Sequence, residues 1–467
     1  MRLTAGEVAR AAGGEVVAGS PDAVINAFTN DSRSVPSGGT CFVALRDHRD
    51  GHDFVDAAFA AGAVAAIVHE VPNGFVHAGD RVLVQVADPG RALIALASAV
   101  RTRLAGLEVV GITGSTGKTS TKDLTAAAVA AGRVVHANPE SFNNEIGLPL
   151  TVLGADERTE VLVTEMGARF IGNIAELCAI AQPRIGVVTN IGMAHTEHLG
   201  GRDGVIAVKG ELLEALPASG VAVVDADDPI TEQLVARTAA SVLRCGRSGD
   251  ADVRLTECAL DDQLRAALVA RTPWGEVETR LAVRGEHQAI NALYAIAVAG
   301  SLGLAPDSIA AGLAAATGSR WRLDLERRAD GVVVLNDVYN ANPTSMAAAL
   351  RALAALPATG RRIAVLGDMR ELGRESDAAH VEVGALAERV GVDVLVGVGE
   401  GGALIVEAAN GVETRVAVAD AAGALDALDV VEPKLQRGDV VLVKASRAVG
   451  LERVADGLLL ERDGCRT

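Results

Sequence analysis

The stretch that most narrows what this chain can fold into is EVVGITGSTGKTSTKD, Glu108 to Asp123. EVVGIT reads as a buried strand, and DLTAAAVAA, beginning at Asp123, as a helix. A strand, a glycine turn and a helix in that order commit the chain to a parallel sheet with helices on its faces. The usual phosphate-cradling spacing, G-x-x-x-x-G-K-[ST], requires glycine at 112. This chain has Ile112 there, Gly111 one place early and an extra glycine at 114. Glycines in such a turn let backbone N–H groups point inward at an anion, and the helix N-terminus adds its positive end. The two glycines that border the turn matter more than the displaced first one. The sequence therefore predicts a variant phosphate loop of Gly114, Ser115, Thr116, Gly117, Lys118, Thr119 and Ser120. Lys118 would neutralise β/γ-phosphate charge and the Thr119 hydroxyl would ligate Mg²⁺.

The same alternation extends along the chain, in three blocks. Before the loop, TCFVAL, FVDAAFAAGA, VAAIVHE and RVLVQV suggest a small β-α-β unit. After it, RVVHA, EVLVTEM, RIGVVTNIG and GVAVVDADD belong to a doubly wound, mostly parallel sheet. A third block repeats the pattern with GVVVLND, RRIAVLGDM, VDVLVGVG and DVVLVKAS. A length of 467 residues exceeds one ordinary core. The expectation is an α/β protein of three domains, 1–86, 87–317 and 318–467, the last Rossmann-like.

A net charge of −17 argues against a nucleic-acid partner, although a local Lys/Arg and metal site can hold phosphate on an acidic protein. Five scattered cysteines without CxxC spacing argue against a disulfide framework or zinc site, and fit a reducing cytoplasm. MRLTAGEVARAAGG has no apolar core for secretion. The longest apolar run, ALYAIAVAGSLGLA, is too short to span a membrane. A cytoplasmic protein without membrane insertion is expected.

Other candidate residues stand where open α/β sheets place their sites, at strand ends. Glu165 closes EVLVTE, His195 follows RIGVVTN, and Lys209 follows in VIAVKGELLEAL. Each alone has an ordinary reading as a loop acid, a satisfied histidine or a surface charge, and their shared placement favours a site. Asn143 and Asn144 of SFNNEIGLPL read equally as a helix cap or as ligand contacts. His287 and Asn291 are four apart on one helix face, turned to a nucleotide base or forming a polar seam. NDVYNANPTSM presents Asp337, Tyr339, Asn340 and Asn342, which an Asx-rich turn would also produce. Asp368, Lys444 and Arg447 follow further strands of the third block.

Taken together, these motifs resemble the ATP-dependent Mur ligases of peptidoglycan synthesis, from TNDSRSVPSGGTCFVALR to VVLVKASR. NDVYNANPTSM is most similar to the members that add D-alanyl-D-alanine to UDP-N-acetylmuramoyl-tripeptide. The resemblance implies catalytic roles for Lys118, His195 and Lys209, and contacts to ATP from the phosphate loop, Asn291, Arg322, Asp337 and Asn340. It implies two magnesium ions held by Thr119, Glu165, His195 and Lys209, the last as a carbamate formed with CO₂. Ser32 and Arg33 of DSR, with His52 of DGHDF, match the uridine-diphosphate side, and Asn143 and Asn144 complete the substrate set. The partners implied are the two small-molecule substrates, and a monomer is expected. Where the family often has Gly-Arg-Leu this chain reads SRWRL, with Trp321 in the glycine's place. Arg322 aligns with the nucleotide-contacting arginine, and Arg320 is the alternative. A sibling amide ligase such as a folylpolyglutamate synthase shares the loop but lacks the DSR domain. A regulatory P-loop ATPase leaves YNANP unexplained.

Overall fold

A computed structural model describes residues 1–46, 49–72, 75, 81–192, 199–430 and 434–460. Three α/β sheets follow one another along the chain. The first has the spatial order Glu15–Ala18, Val82–Gln85, Ala65–Val68, Thr40–Val43, Ala27–Thr29, with only Glu15–Ala18 antiparallel to its neighbour. A short antiparallel ribbon, Leu3–Thr4 with Val24–Ile25, stands beside it.

The second sheet has nine strands. Its parallel part runs Val253–Leu260, Ser241–Gly246, Val221–Asp225, Ile185–Val188, Glu108–Thr113, Val161–Glu165, Val135–Ala137. Glu108–Thr113 lies between strands that follow it in sequence on opposite sides, so the winding direction reverses at its edge. That switch point opens a crevice beyond the carboxyl ends of the strands. Two further strands, Arg265–Thr272 and Gly275–Arg284, extend the sheet as antiparallel hairpins that the sequence reading did not assign. Gly275–Arg284 alternates exposed and buried positions, and so lacks the continuous apolar run that marks a strand covered on both faces.

The third sheet has the order Asp324–Arg327, Val333–Asn336, Val440–Lys444, Arg362–Gly367, Val394–Val398, Thr414–Val418, parallel except for its first strand. The α/β class and the three-unit architecture agree with the expectation from sequence.

Packing joins the units. One buried cluster runs from Val8, Val43 and Val84 through Leu93 and Leu96 to Val109, Leu162 and Leu212, which docks the first sheet on the second through helix Pro89–Arg103. That helix begins where Asp88 Oδ1 accepts the N–H groups of Gly90 and Arg91 and where Pro89 needs no N–H partner. The apolar run around Tyr294 is helix His287–Ser301, buried against the other face of the second sheet. Among the described residues no helix is long and apolar enough to cross a membrane. Leu264, at the tip of a central hairpin, is fully buried in the core of the third unit with Leu323 and Leu335.

Candidate active site

The phosphate loop leaves the central strand at Thr113. Gly114 takes φ 147° and Gly117 φ 79°, and Gly117 starts helix Lys118–Ala130. A β-carbon on Gly114 would collide with the Thr189 hydroxyl, and one on Gly117 would stand 2.7 Å from Asn291 Oδ1. Gly111 serves a different purpose. It lies inside the strand, where a β-carbon would press on Leu212 and Met166. The displaced glycine of the motif is thus a packing residue, and the turn is made by the other two.

The turn is buttressed by the end of the neighbouring strand. Thr189 Oγ1 donates to Thr116 O at 2.6 Å. Asn190 Oδ1 accepts the Thr116 N–H at 3.0 Å, and its Nδ2 donates to Thr116 Oγ1 at 2.7 Å. Ser115 Oγ donates to Gly192 O at 2.9 Å. Thr189 and Asn190 were missed in the sequence. The signal was a Thr-Asn pair ending a strand, and it acts only because that strand is the spatial neighbour of the loop.

Lys118 curls back so that Nζ donates to Gly114 O at 2.8 Å. Burial holds its pKa below the usual lysine value, the Glu165 carboxylate works the other way, and Arg322 adds to the lowering. Thr119 Oγ1 accepts from Arg322 Nη2 at 2.8 Å, while Ser120 Oγ lies 3.4 Å from Gln288 Nε2. Gln288 Oε1 in turn accepts from Asn291 Nδ2 at 2.9 Å.

Glu165 is 1% exposed at the last position of its strand. Its Oε1 accepts from Asn143 Nδ2 at 2.6 Å, whereas Oε2 is buried and meets no hydrogen-bond partner among the described residues. Lys209 is equally buried, and its Nζ likewise meets none. Burial, and then the charge of Lys118, lower its pKa to about 7 against the pull of Glu165 and Glu211. Asn144 Oδ1 accepts the Gly147 N–H at 2.9 Å, where helix Gly147–Gly154 begins. His195 lies outside the described residues. Among those described, no three His, Cys, Asp or Glu side chains gather as a metal cluster, and Cys41, Cys178, Cys245 and Cys258 are free thiols.

The third unit reaches the same place. Asp337 Oδ2 pairs with Lys444 Nζ at 2.6 Å, and Lys444 also donates to Asn340 O at 2.7 Å. Tyr339 Oη meets Ser141 Oγ, and the Arg322 guanidinium lies 4.2 Å from the Tyr339 ring centre. Arg320 instead lies 5.3 Å from the Trp321 ring centre, with Arg447 at 4.0 Å from the same ring. Trp321 has φ 64°, so it keeps the left-handed backbone that a glycine would adopt without strain. Asp368 accepts the N–H groups of Gly401 and Gly402 and stays out of the cavity.

These groups enclose a cavity of about 620 Å³ at the switch point. Its lining includes Ser115–Ser120, Asn143, Asn144, Glu165, His287, Asn291, Arg322, Asp337, Asn340 and Lys444, together with Arg169, Asp225 and Tyr294. Lys209 is buried behind this lining, electrostatically in reach of Lys118 and Glu165. Ser32, Arg33 and His52 do not line it. Arg33 is exposed and paired with Asp31 at 2.9 Å, and His52 Nδ1 lies 2.7 Å from Asp50 Oδ1 with His69 on its other nitrogen.

Two family descriptions match the chain: the Mur ligase middle domain over residues 112–299, and the Mur ligase, glutamate ligase domain over 321–447. The UDP-N-acetylmuramoyl-tripeptide–D-alanyl-D-alanine ligase of Mycobacterium tuberculosis is 43% identical, over 100% of this chain and 99% of that protein. A crystal structure of MurF from Acinetobacter baumannii superposes with a TM-score of 0.85 at 31% identity, over 98% of this chain and 99% of that one. MurF ligase from Thermotoga maritima, in complex with ADP, gives a TM-score of 0.76 at 30% identity over 92% and 96% of the two chains. The likeness runs along nearly the full length of these relatives, and the chain belongs to the Mur ligase family.

Proposed function

We propose that this chain is an ATP-dependent carbon–nitrogen ligase that joins D-alanyl-D-alanine to UDP-N-acetylmuramoyl-tripeptide, making the pentapeptide precursor of peptidoglycan. The observation that carries the reading is one cavity lined jointly by the phosphate loop and by the Asp337–Asn342 turn of the third unit, beside relatives of that name. In this division residues 1–86 hold the UDP-sugar through Ser32, Arg33 and His52, residues 87–317 bind ATP, and residues 318–467 close over the nucleotide and receive the amine. The reading takes the protein as a cytoplasmic monomer.

A carboxylate is a poor electrophile until its oxygen becomes a leaving group. The tripeptide's terminal carboxylate attacks the γ-phosphate of ATP, giving an acyl phosphate and ADP. The D-alanyl-D-alanine amine then attacks the acyl carbon, and inorganic phosphate leaves as the C–O bond breaks. The loop N–H groups and Lys118 hold the phosphates in line and stabilise their charge. Asn143 and Asn144 would orient the acceptor peptide. Arg322, Asp337 and Asn340 complete the nucleotide contacts from the third unit, so closure assembles the site and keeps water from the acyl phosphate.

Magnesium fits this donor set. The unpartnered Glu165 Oε2 and the Thr119 hydroxyl are hard oxygen ligands, and His195 would join them. Bound there, the ions would neutralise charge on the transferring phosphoryl group. Carbamylation of the Lys209 amine, buried and without a partner among the described residues, would convert it to an oxygen ligand. The reaction is tested by phosphate release from ATP with the tripeptide nucleotide, with and without D-alanyl-D-alanine, and by mass spectrometry of the product. Turnover requiring both, with a pentapeptide product, is expected. Release driven by a folate and glutamate, or by a macromolecule alone, would overturn the assignment.

A further inference from the structure

One buried cation beside the phosphate loop has no part in the proposed chemistry. It is Lys122, one helical turn beyond Lys118, and its side chain is 4% exposed. Its Nζ donates to Asn138 O at 2.9 Å and to Glu140 O at 2.8 Å, and pairs with Asp123 Oδ1 at 2.9 Å. An ammonium has three donors, and all three are engaged. Burying such a charge is costly even when it is satisfied, and an apolar side chain of the same size would fill the space without that cost. The charge is explained by what it holds.

Lys122 holds the segment Asn138–Asn143. Glu140, whose carbonyl it grips, has φ 47°, a left-handed conformation that a non-glycine residue keeps only when its surroundings enforce it. On its far side the same segment grips Glu165. Asn138 Oδ1 accepts the Glu165 N–H at 2.6 Å, and Asn143 Nδ2 donates to Glu165 Oε1 at 2.6 Å. With Oε1 engaged, Oε2 is the oxygen left buried and without a hydrogen-bond partner among the described residues.

From this chain of contacts we propose that Lys122 is a positioning residue. By fixing Asn138–Asn143 it sets the carboxylate of Glu165 so that Oε2 is free to ligate a divalent cation. The proposal rests on the reading of Glu165 as a metal ligand. A supporting side chain beyond the ligands themselves changes metal affinity by about 10–100-fold when it is lost.

The test uses the full-length enzyme with Mn²⁺ as a paramagnetic probe, titrated at saturating ADP and followed by electron paramagnetic resonance. Lys122→Met keeps the stem and removes the three donors. Its Mn²⁺ dissociation constant is expected to rise by about 10–100-fold. Metal-free ADP affinity should stay within about twofold, since the loop N–H groups are untouched. Glu165→Gln is the reference, expected to lose Mn²⁺ at least as strongly. Wild-type Mn²⁺ binding in folded Lys122→Met, with binding lost in Glu165→Gln, would overturn the positioning role and leave the Glu165 reading standing. Wild-type binding in Glu165→Gln would sink that reading and the proposal with it. An equal fall in metal-free ADP affinity in Lys122→Met would also overturn it, by showing that the phosphate loop itself had failed. Should Lys122→Met not fold, Asn138→Ala cuts the next link, and wild-type Mn²⁺ binding there would be equally decisive against the proposal.

Discussion

Gly111 and Gly114 are three residues apart in one motif, and the structure assigns them opposite consequences. Gly114→Ala forces a β-carbon onto a backbone at φ 147°, against the Thr189 hydroxyl and within 3.1 Å of the Thr189 nitrogen. Holding a non-glycine residue in such a region costs about 1–3 kcal/mol. Displacing the Thr189 hydroxyl also breaks its hydrogen bond to Thr116 O, worth roughly 1 kcal/mol. The sum, about 2–4 kcal/mol, falls on the loop that presents N–H groups to phosphate, and at 1.4 kcal/mol per decade it predicts roughly a 30- to 1,000-fold weaker Kd for ADP. Gly111→Ala instead presses on Leu212 Cδ1 at 2.9 Å and Met166 Cε at 3.2 Å, the far ends of flexible core side chains. That overpacking costs on the order of 1–3 kcal/mol of global stability and leaves the loop intact. Calorimetric titration with ADP and thermal unfolding of both variants separate the effects. Gly114→Ala should lose affinity out of proportion to stability, and Gly111→Ala the reverse. Wild-type ADP affinity in Gly114→Ala, or a nucleotide defect in a fully folded Gly111→Ala, would refute the reasoning.

Lys118→Ala should leave the far-ultraviolet circular dichroism unchanged and lower kcat by at least about 10²-fold, the loss typical of one preorganised charge donor; a folded variant with near-normal turnover would contradict its role. Lys209→Ala should be inactive and be partly restored by short carboxylates such as acetate, whereas full activity without them would count against a carbamate. Arg322→Ala should raise the KM for ATP more than Arg320→Ala, because Arg322 lines the cavity and reaches Thr119 at 2.8 Å while Arg320 faces Trp321; the opposite order would reverse the alignment. Asp439→Ala should destabilise the third unit by roughly 3–5 kcal/mol, since it breaks a buried ion pair with Arg361 that closes at 2.7 Å, and an unchanged unfolding temperature would refute that.

The strands of the parallel sheets were legible because burial on both faces writes them as unbroken apolar runs such as VVLN and VVLVK. The hairpins from Val253 to Arg284 were not, because one face is wet and charges interrupt the pattern. Within the site, sequence could identify groups whose chemistry is local, such as Lys118 and Thr119 beside their glycines. It could not identify Asn190 or Lys122, since their partners are 74 and 16–18 residues away and are brought near only by strand order. The asparagine pair illustrates both cases. Asn144 accepts the Gly147 N–H three residues on, a contact written in nearby residues, whereas Asn143 reaches Glu165 across 22 positions. Trp321 is a third kind of case: its substitution for glycine is visible in the letters, but the stack on Arg447 that accompanies a left-handed backbone is not.

Charge ties these pieces to function. The protein carries a net −17, yet Lys118, Arg322 and Lys444 line one cavity, with Lys209 behind it. Burial is the main cause that lowers the pKa of Lys118, Lys444 and Lys209, with Arg322 adding a smaller push at the first two and Lys118 a further push at Lys209. Glu165 at Lys118 and Asp337 at Lys444 counter that lowering more strongly than Arg322 adds to it. A polyphosphate entering the cavity would offset the cost of burying these cations, and in a water-poor site that gain is larger than at an exposed surface. Two of these cations, Arg322 and Lys444, belong to the third unit and line the cavity together with Lys118. A polyphosphate held there would therefore be met by cations from both the second and the third unit.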